Sequence, residues 1–230
     1  MKLYHGTAAA NLGAVRARGL VPRGRFNKRS NWEHTARSRA GHVYLTTAYP
    51  LYFALCASGD ENALVVEVDT DRLDPRRMYP DEDFLAHVLA QQAVASKALH
   101  RPVLNKLTQT VNLEANRDLW GKSLELLGTC SYFGHVPPAA ITRYATVDVM
   151  ARPSLAMLCV DPTITLANYR FCGWKYRQLV AWIFGDAPDL PGAVPPEHMA
   201  QLGELPGMAE AAAALAAESV DRRGVAVLLP

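Results

Sequence analysis

Apolar and polar positions change period several times along the first half of the chain, and each change marks a predicted element. Leu3 and His5 share one face of a strand over residues 2–5. Leu12 and Val15, three apart, predict a helix over 8–18 that Gly19 stops. Residues 22–41 hold few large apolar groups and much Arg, Asn, Ser and Gly, which predicts a long loop. Residues 42–47 alternate again, with Val43 and Leu45 on one face and Tyr44 and Thr46 on the other. Residues 49–57 read as a short buried helix, and Ala63–Asp69 as a strand rich in β-branched residues.

The second half is less regular. Pro80-Asp81-Glu82-Asp83 opens a predicted helix that runs to about Leu99, its acids suiting the positive end of the helix dipole. Residues 101–121 carry no clear period. Residues 123–133 have strand character broken at Gly128; a turn follows over 136–141, then a strand over 141–149. After Arg152 the character changes. Helical spacing returns over Trp174–Phe184, a Pro/Gly-rich linker covers 188–206, an Ala-rich helix 207–219, and an apolar tail Val225–Leu229. The expected organisation is a domain over 1–150 with a C-terminal helical extension over 151–230 packed on it.

With 230 residues, half of them hydrophobic, a sizeable core can form. No run of 18 uncharged apolar residues predicts a membrane span, and the chain starts directly in a strand rather than in a signal peptide. Cys56, Cys130, Cys159 and Cys172 are scattered without Cys-x-x-Cys spacing, so reduced thiols in a cytoplasmic protein are the simplest expectation. The net charge of +2 decides little, but residues 16–39 hold eight of the 24 Lys and Arg side chains and Glu33 as their one acid. That segment is either a solvated loop or an anion site for a pyrophosphate or a nucleic-acid backbone.

Three short segments carry candidate chemistry: Tyr4-His5-Gly6-Thr7, His42-Val43-Tyr44-Leu45-Thr46 and Ser123-Leu124-Glu125-Leu126-Leu127-Gly128. Glycine after a strand-end histidine lets another group approach the backbone. A Glu among leucines is unusual unless paired or used; Glu67 and Glu114 are competing acids. The order His, Tyr, Glu resembles the signature of the diphtheria-toxin and poly(ADP-ribose)-polymerase type of ADP-ribosyltransferase. The run from Ser123 to Ile141 looks like the catalytic strand and return turn of bacterial and phage members.

The resemblance covers roughly residues 3–148. It implies an α+β fold of two facing, mostly antiparallel sheets flanked by helices, with NAD as substrate and no metal. It implies that His5 bonds a ribose hydroxyl, Gly6 offers its backbone to the carboxamide, Thr7 supports them, and Tyr44 stacks on nicotinamide beside Thr46. Tyr52, with Tyr49 as the alternative, would complete the aromatic sandwich. Glu125 would stabilise the oxocarbenium-like transition state. Asn31 and Trp32 are the groups of the basic loop best able to bond or stack on the nucleotide.

Two departures narrow the reading. Arginine-modifying relatives carry Glu or Gln where this chain has Ser123, and the RNA 2′-phosphotransferase branch carries Arg where it has Tyr4. DNA-modifying toxins of the superfamily share a His strand followed by Asn-Leu and Gly-Leu, here Asn11-Leu12 and Gly19-Leu20. Together with the basic segment, this favours nucleic acid over protein as acceptor. The alternatives are an NAD glycohydrolase and a catalytically inactive nucleotide-binding or interaction module. A helix-rich binding extension fits any of them.

Overall fold

A computed structural model describes residues 1–24, 38–58, 62–86, 88, 113–148, 151, 166–190 and 222–230. The chain forms an α+β fold around one antiparallel sheet of seven strands. The strands are β1 (Lys2–Ala8), β2 (His42–Thr46), β3 (Ala63–Asp69), β4 (Met78–Pro80), β5 (Thr129–Phe133), β6 (Ile141–Val147) and β7 (Val225–Leu228). Their order across the sheet is β4-β5-β2-β1-β3-β6-β7. The described helices are α1 (Leu12–Arg18), α2 (Pro50–Ser58), α3 (Trp120–Leu127) and α4 (Leu166–Phe184), with a helical turn over 82–86.

The two sheets expected from the resemblance are joined into one, but the join is slight. β1 pairs with β3 over seven residue pairs, Lys2↔Asp69 to Ala8↔Ala63, and β2 pairs with β5 over five. Between β1 and β2 there is a single pair, Tyr4↔Thr46. Continuing that register would set Gly6 opposite Tyr44, and no ladder forms there. The sheet is therefore two well-laddered halves meeting at a seam.

Both faces are covered. On one, Leu3, Val43, Leu45, Leu64, Val66, Val68, Tyr132 and Tyr144 pack with Val15 of α1 and with Leu20 and Val136. On the other, Ala63, Val65, Ala145 and Val147 lie under α2 and the C-terminal half of α4, which presents Leu179, Val180, Trp182, Ile183 and Phe184. Two-sided burial explains why β3 reads as a continuous β-branched run rather than as an alternation. Glu67 is nonetheless fully buried in β3. It accepts bonds from Lys2 Nζ (2.8 Å), Thr142 Oγ1 (2.5 Å) and the Arg143 guanidinium, which also holds Asp186. Burial alone would raise the Glu67 carboxyl, but these donors outweigh it and hold it below its ordinary value. This competing acid is structural.

Several expectations change at the element level. β1 runs on to Ala8, so the first helix begins at Leu12 after a 3-10 turn, Ala9–Asn11. The strand expected over 123–127 is helix α3: Ser123, Leu124 and Leu127 are buried at spacings of one and four, and Glu125 and Leu126 face out. Gly128, at φ 77°, ends it in the left-handed conformation and donates to the Leu124 carbonyl at 3.1 Å, and β5 starts at Thr129. A short apolar run cannot be assigned to helix or strand by periodicity alone. The apolar tail is not loose: β7 pairs with β6, and Arg222 donates to the carbonyls of Trp182 and Ile183 at the end of α4. The C-terminal segment thus supplies a helix to one face and a strand to the sheet edge. Beyond residue 88, the helix expected to Leu99 lies outside the described residues, as do the linker from 191 to 206 and the helix over 207–219. Among the described residues, no helix is long and apolar enough to cross a membrane.

Candidate functional site

The seam brings His5 and Tyr44 together. Where β1 and β2 part, the His5 Nδ1–H donates to the main-chain carbonyl of Tyr44 at 2.9 Å, replacing a ladder rung with a side chain. A carbonyl can only accept, so Nδ1 must carry the proton. Burial pushes the imidazole below its ordinary pKa, partly offset by this bond, so the ring is neutral near pH 7. Nε2 is then a lone-pair acceptor, and it has no partner among the described residues.

Tyr44 is fixed at its far end. Its hydroxyl donates to Glu82 Oε1 at 2.6 Å and accepts from the Arg39 amide at 2.6 Å. The same amide lies 3.2 Å from Glu82 Oε1, and the Arg39 Nε lies 3.8 Å from it. Glu82 is 4% exposed. Burial, then repulsion from Asp81, lifts its carboxyl to about 7. Asp83 is raised to about 7 for the same two reasons. Burial and the neighbouring Glu82 and Asp81 push the Tyr44 phenol well above its ordinary value, so it stays protonated and donates.

This acidic turn is held at its base. The Asp81 amide donates to Ser123 Oγ (3.0 Å), which in turn donates to the Thr129 carbonyl (2.7 Å). The sequence places Asp81, Glu82 and Asp83 in the first turn of a helix, where acids cap it and suit its dipole. The Asp83 amide does bond Asp81 Oδ1 at 2.9 Å, so the capping is real, but Glu82 turns inward to Tyr44. The signal available in the sequence was an acid flanked by Tyr79 and Phe84, which are buried.

The other expected site residues divide. Thr7 accepts from Asn11 Nδ2 at 2.9 Å beside the seam. Gly6 is also needed for packing. A Cβ there would sit 1.8 Å from the Pro50 carbonyl oxygen and 2.7 Å from the Ala54 amide, so it is helix α2 that comes close. The Thr46 hydroxyl is used internally, donating to the Gly128 carbonyl (2.7 Å) and accepting from the amides of Ala48 and Tyr49 (3.0 and 3.1 Å). It closes the turn into α2 and has no capacity left for a ligand. Tyr52 packs among the α2 and α4 aromatics, 5.7 Å from the Phe53 ring, and Tyr49 is buried against Tyr169 and Tyr176. Glu125 sits on the outer side of α3, its side chain 62% exposed and paired with Lys122 at 3.0 Å. Asn31 and Trp32 lie outside the described residues, as does most of the basic loop.

Chemically, the seam offers a neutral hydrogen-bond acceptor at His5 and an immobilised aromatic ring at Tyr44. Behind that ring stands a buried carboxyl that titrates near neutrality. Among the described residues, no three His, Cys, Asp or Glu groups converge where a metal could sit.

No family model matches the chain, and no curated protein does. Among solved structures, it is similar to a mutant of the E. coli heat-labile enterotoxin, with 15% identity, a TM-score of 0.33, and coverage of 64% of this chain and 69% of that one. It is similar to full-length CARDS toxin at 11% identity and a TM-score of 0.31, over 64% of this chain and 24% of that one. It is also similar to EcPltA at 13% identity and a TM-score of 0.32, over 64% and 75%. Superpositions this loose carry no residue-to-residue assignment.

Proposed function

We propose that this chain binds NAD at the seam, cleaves its nicotinamide–ribose bond and transfers ADP-ribose to a macromolecule, with nucleic acid as the acceptor. The observation that carries this reading is the tautomer of His5. Nδ1–H is committed to the Tyr44 main-chain carbonyl, which leaves Nε2 as an acceptor for a ribose hydroxyl at the gap between β1 and β2. The His-Tyr resemblance gives His5 that ribose bond and gives the Tyr44 ring the nicotinamide, and we retain both roles as proposals. The Gly6 backbone and Thr7 border the same gap, and Asn31 and Trp32 remain the loop residues proposed to meet the nucleotide.

Bond cleavage develops positive charge at the ribose carbon, which a nearby carboxylate stabilises. We assign that role to Glu82, acting through the Tyr44 hydroxyl, in preference to Glu125. Glu82 is buried and bonded to Tyr44, whereas Glu125 points to solvent with Lys122. The acceptor rests on the cations of residues 16–39. Of these, Arg16 and Arg23 donate to the carbonyls of Leu229 and Ser38, and Arg39 lies beside Glu82.

A second reading has one observation in its favour. β5, which pairs with the Tyr44 strand, reads Thr-Cys-Ser-Tyr-Phe and carries no carboxylate. A seam that binds NAD without turning it over fits that composition.

Nicotinamide release and calorimetric NAD binding separate the two. The expected result is turnover by the wild type, a fall of about 10²-fold in Glu82→Gln with binding retained, unchanged turnover in Glu125→Gln, and weakened binding in His5→Ala. NAD binding without turnover in the wild type would establish the second reading. Loss of turnover in Glu125→Gln alone would return the role to that residue.

A further inference from the structure

On the face of the sheet that carries Tyr44, a second group of side chains lies one row from the seam. Registered pairing sets Tyr44, Ser131 and Tyr79 in one row across β2, β5 and β4, and His42 opposite Phe133 in the next. Phe133 is 47% exposed, the His42 ring packing against it at 5.3 Å. Arg77, just before β4, lays its guanidinium over the rings of Tyr132 and Phe133, at 5.2 and 5.8 Å.

Two glycines shape this corner. Gly134 has φ 94°, and a Cβ on it would lie 1.8 Å from Arg77 Nη2; one on Gly41 would lie 3.2 Å from Phe133 Cε2. The Gly134 amide donates to the Gly41 carbonyl at 2.7 Å, which ties the two together. The ring and the guanidinium therefore rest in a cradle that side chains at either position would fill. Arg77 makes no ion pair with a carboxylate among the described residues. The aromatic face and the cation are both left to act outward.

We infer that Phe133 and Arg77 form a stacking platform for an unpaired base of a single-stranded nucleic acid, with Arg77 reading the adjoining phosphate. Stacking on an exposed ring beside a cation is how sequence-tolerant single-strand binding works. Successive rows of a strand face are about 7 Å apart. A base on Phe133 therefore stands within a nucleotide's reach of the Tyr44 seam. This inference rests on the proposed NAD reaction for its purpose, but the surface is tested independently of it.

Binding of the full chain to a fluorescein-labelled, mixed-sequence single-stranded DNA, to the RNA of the same sequence, and to the duplex is measured by anisotropy. The expected result is binding to a single strand in preference to the duplex. Phe133→Ala should weaken it at least about fivefold and Phe133→Tyr should preserve it. Arg77→Gln should reduce the salt slope by about 0.7. Equal binding by wild type and Phe133→Ala overturns the platform, as does a raised KM for NAD in Phe133→Ala, which would give the ring to the cofactor. Failure of Phe133→Ala to modify a protein substrate while oligonucleotide binding is unaffected would make the occupant a protein and likewise overturn the inference. If the wild type releases no nicotinamide yet binds single strands through Phe133, the proposed function falls and the platform stands.

Discussion

Folding changes the protonation of Glu82 over a definable pH range. Its carboxyl moves from an ordinary 4.5 to about 7, because burial and then Asp81 disfavour the charge. Between those values the folded chain keeps a proton that the unfolded chain has released, so the contribution of Glu82 to stability is whole below about 4.5 and is lost as the pH rises through about 7. His42 works in the opposite sense. Burial first, then Arg39, lower it from 6.5 to about 4, so stability rises with pH across that interval. Glu82→Gln retains the His42 effect and removes that of Glu82. Its stability relative to the wild type, from urea unfolding at pH 5 and pH 8, should therefore increase by roughly 1–3 kcal/mol between the two. A constant difference would mean that Glu82 is ionised in the fold throughout. Asp81, Asp83, Arg39 and the Tyr44 hydroxyl are the charged and titratable groups facing it, and Asp83 shares its titration range. The strands that carry His5 and Tyr44 are legible in the sequence because local alternation sets which face each side chain takes. The inward turn of Glu82 is less legible, because its partner is 38 residues away and the apolar Tyr79 and Phe84 nearby are its one local sign.

At the scale of elements, glycine positions divide into those that serve a turn and those that admit a neighbour. Gly6 is of the second kind, since α2 crosses β1 with its backbone against it. Gly6→Ala must push back the main chain at Pro50 and Ala54, which cannot rotate aside as a side chain would. A loss on the order of 3 kcal/mol is expected, read as a lowered urea midpoint with an unchanged slope. A loss below 1 kcal/mol would show that α2 shifts freely on the sheet. The helix at 120–127 was hidden from sequence reading by Leu124-Glu125-Leu126-Leu127, which fits a strand as well as a helix. Tertiary packing decides it: α3 buries Leu124 and Leu127 and uses Ser123 to tie the acidic turn to β5. Ala63–Asp69 was read correctly because a fully buried central strand leaves a long β-branched run that few other structures require.

At the scale of the whole molecule, the C-terminal segment is expected to be inseparable from the rest. A chain ending at residue 150 would uncover Ala63, Val65, Ala145 and Val147, which α4 covers, and leave β6 as an exposed edge. Such a truncation should aggregate or show no cooperative unfolding, whereas recovery of a soluble, cooperatively folding 1–150 fragment would establish a separable domain. β7 is legible in the sequence only as an apolar tail, since a four-residue strand at an edge is too short to show a period. The single pair between β1 and β2 has a mechanical meaning as well. Load on a ladder is shared among its rungs, but here it falls on Tyr4↔Thr46 and on the His5 side chain. Torsion between the two halves thus breaks few hydrogen bonds, and the gap can widen or narrow while both ladders stay intact. Amide exchange should be slowest in β3 and fastest along the facing edges of β1 and β2. A molecule wedged at His5 would slow that edge first and register as a change in twist across the entire sheet.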